Sequence, residues 1–372
     1  MINIINSTDK IAERKSVILP FGFNHSPIQK IVLINFENDP DSKYIALEPQ
    51  YFSSSDTGEG FSIIAYRNDG YIDVYDDLNL KVDNQASFDV AGKGLKEQLQ
   101  VEMEKTVFEK DSGCLFLSFQ FIDKYDREIS LEIIEKTKMK SSGLNLLAPV
   151  GSSTENPSYL PIFFMYDFDF VRKNKTEIRL TIGGKSHKID TFPYKIPKDF
   201  QWRYYTRYSL DCQIIEFASS GKKVLDEYEL INDSLTINDN KLIFSLDGSL
   251  EKMEHQSEAH RFLVEFNPGF PDIRNLNVGK VYNGVVEIKP DPDMGTVSGK
   301  YSLEREGEIV EIKMNMGDGW APIPDSLFTK LMFGKKSIFR SWPKYYYYKQ
   351  KVNLASLESS SFWENKNTEK IK

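Results

Sequence analysis

The sequence is poor in cysteine and histidine and has no surplus of positive charge. Its 372 residues include 2 cysteines and 4 histidines, and 55 acidic residues outnumber 47 basic ones, for a net charge of −8. A structural zinc site needs four closely spaced Cys or His ligands, which this chain does not offer. General nucleic-acid binding is also excluded, because no excess of Lys and Arg is available to neutralise phosphates.

Long apolar runs are missing as well. No stretch approaches the about 18 residues of a membrane span, and the N-terminus lacks the basic and apolar regions of a signal peptide. We therefore expect a cytoplasmic protein without a transmembrane segment. Cys114 and Cys212 both lie in strand-like runs, which favours buried inert thiols, and the sequence leaves one disulfide between them open.

Aromatic residues are abundant, at 13% of the chain, and apolar residues alternate with polar ones over most of its length. This period of two predicts an all-β protein of short antiparallel strands. Three hairpins are predicted, with turns at Gly183-Gly184, Asp239-Asn240 and Glu306-Gly307. Helical spacing is scarce, and the best cases are residues 94–104 and 325–333.

Breaks in the pattern suggest two halves. A segment with two prolines around residue 195 is the preferred linker. It divides the chain into a β-barrel-like domain at 1–195 and a second at 196–355, followed by a polar tail at 356–372 that we expect to be disordered. The predicted fold is two lipocalin-like antiparallel barrels or sandwiches with few short helices.

The order of these elements resembles a two-domain, lipocalin-like family that contains carotenoid 1,2-hydratase, tocopherol cyclase-like proteins and related natural-product cyclases. The residues that carry the resemblance are residues 161–166 and 181–187 in the first half, and 320–324 and 340–345 near the end of the second. The resemblance is architectural. The Trp-Trp-Tyr-like run of the family's hydratases is replaced here by strands around Tyr44 and Phe61. The resemblance to this family implies hydration or cyclisation of an apolar substrate without a metal or nucleotide cofactor.

Two residues are candidates for proton transfer. The hairpin register places His187 on the apolar face of Leu180, where it could act as a general acid or base; a core histidine bonded to the backbone is the alternative. Asp167 and Asp169 alternate with aromatics on one strand and could face a cavity, or else form that strand's solvated face. We select His187 and Asp169 as catalytic candidates and Asp167 as a substrate-binding one.

Aromatic side chains are candidates for the cavity walls. Tyr166, Trp202, Tyr204 and Trp342 could line a pocket for an apolar chain, although aromatics on strands more often pack in the core. The remaining titratable groups give weaker patterns. Alternation predicts that Asp211 shares a strand face with two arginines, as in surface ion pairs. The polar segment that holds His255 and His260 is interpreted as a loop.

The leading hypothesis is a cofactor-free enzyme. It would bind a long isoprenoid or polyketide-like molecule in a cavity at the domain interface, and it would catalyse cyclisation, including pericyclic cyclisation, or hydration by folding the substrate with acid–base assistance. A non-catalytic lipid or small-molecule carrier is the first alternative. A carbohydrate-binding or carbohydrate-acting β-protein is the second.

Overall fold

A computed structural model describes residues 15–81, 89–90, 93–137, 143–148, 157–195, 201–257, 259–291, 293–316, 319–334 and 346–365. The strands are β1 (Ser16–Ile18), β2 (Phe23–His25), β3 (Ile28–Asn35), β4 (Tyr44–Ser54), β5 (Gly58–Arg67), β6 (Ile72–Asp77), β7 (Asp89–Val90), β8 (Lys93–Val101), β9 (Glu104–Asp111), β10 (Cys114–Ile122), β11 (Glu128–Glu135), β12 (Leu144–Ala148), β13 (Leu160–Arg172), β14 (Thr176–Ile182), β15 (Lys185–His187), β16 (Arg203–Ser209), β17 (Asp211–Phe217), β18 (Gly221–Val224), β19 (Glu227–Glu229), β20 (Ser234–Ile237), β21 (Asn240–Phe244), β22 (Leu250–Gln256), β23 (Arg261–Phe270), β24 (Val281–Asp291), β25 (Gly295–Glu306), β26 (Ile309–Asn315), β27 (Trp320–Pro322), β28 (Tyr346–Asn353) and β29 (Glu358–Asn365). Helix α1 spans Leu327–Phe333, and a 3-10 turn spans Ile273–Asn275. The predicted all-β class is confirmed.

The first large sheet is built around one long strand. β13 runs antiparallel to β17 over its first half and to β16 over its second, and these two strands pair in turn with β2 and β3. The sheet continues through β4, β5, β6 and β8, and ends at β7. β6 and β8 are parallel, whereas the other neighbours are antiparallel.

Two layers cover one face of this sheet. A five-stranded sheet (β15-β14-β11-β10-β9) packs on β3 to β6 through an apolar core that contains Phe61, Phe119 and Leu131. The second large sheet packs on β2, β13 and β17 through a larger core that contains Phe164, Phe217 and Phe262. Burial of this apolar surface is the main force that joins the layers.

The second large sheet is an antiparallel meander in the order β18-β29-β28-β26-β25-β24-β23-β22-β21-β20, with β27 added beside β25. The N-terminal segment runs through its interior: Val17, Ile18, Phe21 and Phe23 all belong to the core shared with the first sheet. β1 then pairs with β19. The two halves of the chain are therefore joined by one continuous apolar core.

A bend in the first sheet changes which side chains share a face. Asp167 has a φ of 48°, which interrupts the alternation of β13. Phe164 and Tyr166 face the second sheet, whereas Phe168 packs with Phe163 and Met165 on the opposite face. The expectation of one aromatic face along this strand is wrong, because the bulge at Asp167 exchanges the two faces.

The same exchange occurs between β16 and β17. Tyr204 and Tyr208 pack toward the five-stranded sheet, but Cys212, which has the same parity, packs on the opposite face of the first sheet. Asp211 consequently leaves the face of Arg203 and Arg207 on which the sequence placed it. A single break at Leu210 therefore turns the Asp211 side chain toward the second sheet.

The predicted hairpins form, and two of them have a different register. The turn at Gly183-Gly184 is confirmed, with Leu180 opposite His187. The second turn lies at Asn238-Asp239, which places Leu235 opposite Leu242; both turn residues have positive φ, as tight hairpin turns require. The third turn lies at Gly307-Glu308. Each shift moves the pairing by two residues, so the buried faces are preserved.

Other local predictions have mixed outcomes. The helix at 325–333 is confirmed by α1, but residues 94–104 form most of strand β8. Residues 203–217 pair with the first sheet, beyond the predicted linker, and residues 358–365 of the predicted tail form β29 against β28. Whether the chain has two independent domains stays a prediction. Both cysteines are free, and none of the helices in the described ranges is long and apolar enough to cross a membrane.

Candidate functional site: a histidine cluster between the two large sheets

Three of the four histidines lie together where the first sheet meets the second. His25 is on β2, His255 is on β22, and His260 directly precedes β23. We call the contact of β2, β13 and β17 with β21, β22 and β23 the seam. His25 stacks on His255 with ring centroids 4.6 Å apart and an interplanar angle of 14°. The cluster thus joins a residue near the N-terminus to two residues more than two hundred positions later.

Strand alternation explains how these polar groups reach the seam. On β17, Asp211 and Gln213 point to the same side as Ile215 and Phe217, which belong to the shared core. On β13, Tyr166 follows Phe164 on that side. The polar side chains therefore continue, at one end, the rows of apolar side chains that hold the sheets together.

A chain of hydrogen bonds connects the first sheet to His260. His25 Nε2 lies 2.7 Å from Gln213 Oε1, and Gln213 Nε2 donates to Asp211 Oδ1 at 2.7 Å. The other carboxylate oxygen, Asp211 Oδ2, lies 2.6 Å from His260 Nε2. On the second sheet, His255 Nδ1 lies 3.1 Å from Asn240 Oδ1, and Asn240 Nδ2 donates to the carbonyl oxygen of Phe23.

The acceptor-only groups determine where the protons are. Asp211 and the Phe23 carbonyl can only accept, so the amides of Gln213 and Asn240 must present their oxygens to the imidazoles. Each neutral histidine then donates from the nitrogen named above and carries a lone pair on the other one. With these tautomers, every hydrogen bond described above has one donor and one acceptor. His260 Nδ1 is left as a basic nitrogen.

His260 also stacks on Tyr166, with ring centroids 3.9 Å apart and an interplanar angle of 17°. His260 Nδ1 and the Tyr166 hydroxyl are both buried, and neither has a hydrogen-bond partner among the residues that the structure describes. Burial, reinforced by the charges of Asp211 and Asp291, raises the pKa of Tyr166, so its phenol stays protonated at neutral pH. A nitrogen base and a phenol donor are thus held side by side.

The two stacked histidines are held in their neutral form. Burial, with a smaller effect of the neighbouring His25, lowers the pKa of His255 to about 4. Burial also lowers the pKa of His25, against the opposing effect of the hydrogen bond that His25 donates to Gln213. A positive charge on either ring would lie in the seam with little water to solvate it, which is the physical cause of both shifts.

This burial predicts that acid weakens the fold. Well above pH 6.5, the ordinary pKa of a histidine, His255 is neutral in both the folded and the unfolded chain, so it contributes no pH dependence there. As the pH falls from 6.5 toward 4, the unfolded chain takes up a proton that the folded chain does not, and stability is lost. Between pH 7 and pH 5 the expected loss from His255 is about 2 kcal/mol.

Urea unfolding of the wild type and of His255→Gln at both pH values measures this effect. Glutamine does not titrate, so the variant should lose about 2 kcal/mol less than the wild type between pH 7 and pH 5. An equal loss in the two proteins would contradict the assignment of a buried neutral imidazole.

A cavity of about 170 Å³ lies beside the cluster. It is bounded by the N-terminal segment, by the residues around β18 and by strands β20 to β22, and its walls combine apolar side chains with polar ones, among them Lys223 and Asp226. Phe23 and Asn240 line it and also take part in the hydrogen bonds of the seam. An engineered apolar cavity of similar size binds benzene, so a group of about six non-hydrogen atoms fits here.

The residues selected from the sequence lie at several places. Tyr166 is in the seam. The predicted inward orientation of His187 is confirmed: it is 4% exposed, and its Nδ1 donates to the Asp39 carbonyl at 2.9 Å. Asp169 is buried and accepts a hydrogen bond from the Phe170 amide, whereas Asp167 pairs with Lys110 at 2.9 Å. A role for His187 and Asp169 in proton transfer stays a prediction.

Apart from Tyr166, the predicted aromatic residues that the structure describes lie away from the histidine cluster. Trp202 is 46% exposed and lies under the ammonium group of Lys195. Tyr204 packs at the margin of the core between the first sheet and the five-stranded sheet. Trp342 lies outside the described residues.

Sequence reasoning missed His25, His255, His260 and Asp211 as a group. The interpretation of the His255 and His260 segment as a loop is wrong for His255, which pairs with Phe262 across β22 and β23. The available signal was the alternation of β22, which places His255 on the buried face of Met253. The position of Asp211 gave no such signal, because the break at Leu210 is not visible in the residue pattern.

Within the described ranges, no group of three or more His, Cys, Asp and Glu side chains could hold a metal ion. Comparison with protein-family models, curated proteins and solved structures finds no match to this chain. The site must therefore be interpreted from its own geometry.

Proposed function

We propose that the protein is a cofactor-free enzyme that binds an apolar molecule between its two large sheets and performs acid–base chemistry on it. Hydration and cyclisation are reactions of this kind, and they are the ones implied by the resemblance to the lipocalin-like hydratases and cyclases. The observation that carries the proposal is the Asp211–His260 pair stacked on Tyr166.

The proposed roles follow from the chemistry of the three groups. Asp211 accepts from His260 Nε2 and so keeps the lone pair on Nδ1, which makes His260 the base. The phenol of Tyr166 supplies a proton or a hydrogen bond to the atom that gains negative charge. The Asp211 side chain is 37% exposed, which connects the pair to solvent for proton exchange.

The cavity is the proposed site for the apolar part of the substrate. Its size suits one end of an apolar chain, and a long isoprenoid or polyketide would extend beyond it along the seam. We also propose that the protein works in the cytoplasm, where its two free thiols would stay reduced.

Native mass spectrometry of freshly purified protein, followed by organic extraction, tests the proposal. We expect an apolar molecule to co-purify, and the wild type to convert that molecule to a product of equal mass or of mass increased by one water. Binding without conversion would favour the carrier alternative. Binding of oligosaccharides but not of apolar molecules would contradict the proposal and favour the carbohydrate alternative.

A further inference from the structure

A lysine that forms no ion pair with a described residue lies at the cavity. Lys223 is on the edge strand β18, opposite Ser359 of β29, and it lines the cavity together with Phe21, Leu225 and Met253. Ser359 is buried, so alternation directs Lys223 to the interior side of the strand. Lys222, the preceding residue, pairs with exposed Ser360 and does not line the cavity.

Lys223 has an acidic neighbour, Asp226, which lines the same cavity and whose charge acts on it. Among the described residues, however, Lys223 forms no ion pair. The nearby Asp226 instead accepts from the Tyr228 hydroxyl at 3.4 Å. Although much of the Lys223 side chain is exposed, enough protein surrounds the ammonium group to lower its pKa. A cation that is partly desolvated and forms no ion pair at the wall of a cavity favours an anionic ligand.

We propose that the cavity binds an apolar carboxylate, with its hydrocarbon end among Phe21, Leu225 and Met253 and its carboxylate on Lys223. The inference rests on the proposed function only in taking this cavity as the substrate site. The volume of about 170 Å³ limits the enclosed part to a short chain, for which hexanoate is the matching probe. The ligand class is therefore a carboxylic acid with a hydrocarbon end, either free or as the terminus of a longer molecule.

Calorimetric titration of the full chain with hexanoate and with hexanol tests the proposal. The two probes share the hydrocarbon chain and differ in the charge of the head group. We expect the wild type to bind hexanoate at least tenfold more tightly than hexanol. Lys223→Gln should bind the two probes about equally, and Lys222→Gln, the neighbouring lysine outside the cavity, should keep the wild-type preference.

Further variants locate the binding and check the fold. Retained hexanol binding by Lys223→Gln shows that the cavity is intact in that variant. Leu225→Trp, which places a large side chain at a buried position of the cavity wall, should weaken the binding of both probes. Asp211→Asn should keep the preference for hexanoate, since it alters the proposed chemistry and not the cavity.

Three results would overturn the inference: equal affinities of the wild type for hexanoate and hexanol, no binding of either probe, or an unchanged preference in Lys223→Gln. None of these results bears on whether Asp211 supports turnover. Conversely, loss of the proposed enzyme activity would leave the measured carboxylate preference standing. The two proposals therefore fail separately.

Discussion

Replacing Asp211 with asparagine should reduce kcat by about 10²- to 10⁴-fold, the range that general acid–base catalysis supplies. The carboxylate accepts hydrogen bonds from Gln213 on one oxygen and from His260 on the other. An amide can accept on one side only, so either Gln213 must turn over or His260 must take the other tautomer. The second change removes the lone pair from His260 Nδ1, and the first leaves His260 against a neutral amide, which stabilises its protonated form less than a carboxylate does.

Asp211 acts through His260, so its loss should affect kcat far more than KM. The pH dependence of kcat should change as well, because a merely structural role would leave that profile unaltered. Asp111→Asn, on exposed strand β9 of the five-stranded sheet, is the control for loss of a carboxylate and should retain wild-type kcat. A variant at Asp211 with unchanged kcat would remove His260 as the base.

The second large effect concerns stability. Removal of the Glu135 side chain by Glu135→Ala should lower the free energy of unfolding by about 3–5 kcal/mol. Glu135 and Arg172 form an ion pair at 2.8 Å with side-chain exposures of 0% and 1%. The same carboxylate accepts from the backbone amides of Leu115 and Arg172. Without it, two buried amides lose their acceptor and a buried guanidinium loses its counter-charge.

Glu132→Ala is the matched control for this measurement. Glu132 lies on the same strand, β11, and pairs with Arg179 at 3.0 Å, but the two side chains are 40% and 69% exposed. An exposed pair of this kind contributes at most about 1 kcal/mol. Urea unfolding should separate the two variants clearly, and equal losses would contradict the distinction between the buried and the exposed pair.

Much of the fold could be predicted from alternation alone. A register error of two residues leaves every side chain on the same face of the sheet. The hairpins at 235–244 and 301–312 therefore have the predicted apolar faces, although their turns lie elsewhere. The helix predicted at residues 94–104 is wrong, because helix spacing and strand spacing both fit this short polar segment. Its parallel pairing with β6 is a tertiary contact that no local pattern contains.

The candidate site was harder to predict, for a physical reason. Asp167 and Leu210 mark a bend that exchanges the two faces of adjacent strands, and alternation cannot be extended across it. Tyr166, before the bend, lies in the seam. Asp211, after it, leaves the face of the arginines that alternation predicts and reaches His260. Contacts of this kind depend on the packing of two sheets, which a single sequence does not specify.

The most direct test of the account is the proton position on each histidine. Long-range ¹H–¹⁵N NMR at pH 8 distinguishes the two tautomers of a neutral imidazole, and the chain has only 4 histidines, so single substitutions assign every signal. We predict protons on Nε2 of His25 and His260 and on Nδ1 of His255. In Asp211→Asn, the signals of His260 or His25 should change tautomer. Protonation of neutral His260 on Nδ1 in the wild type would contradict the account, because the proposed base would then have no lone pair at that atom.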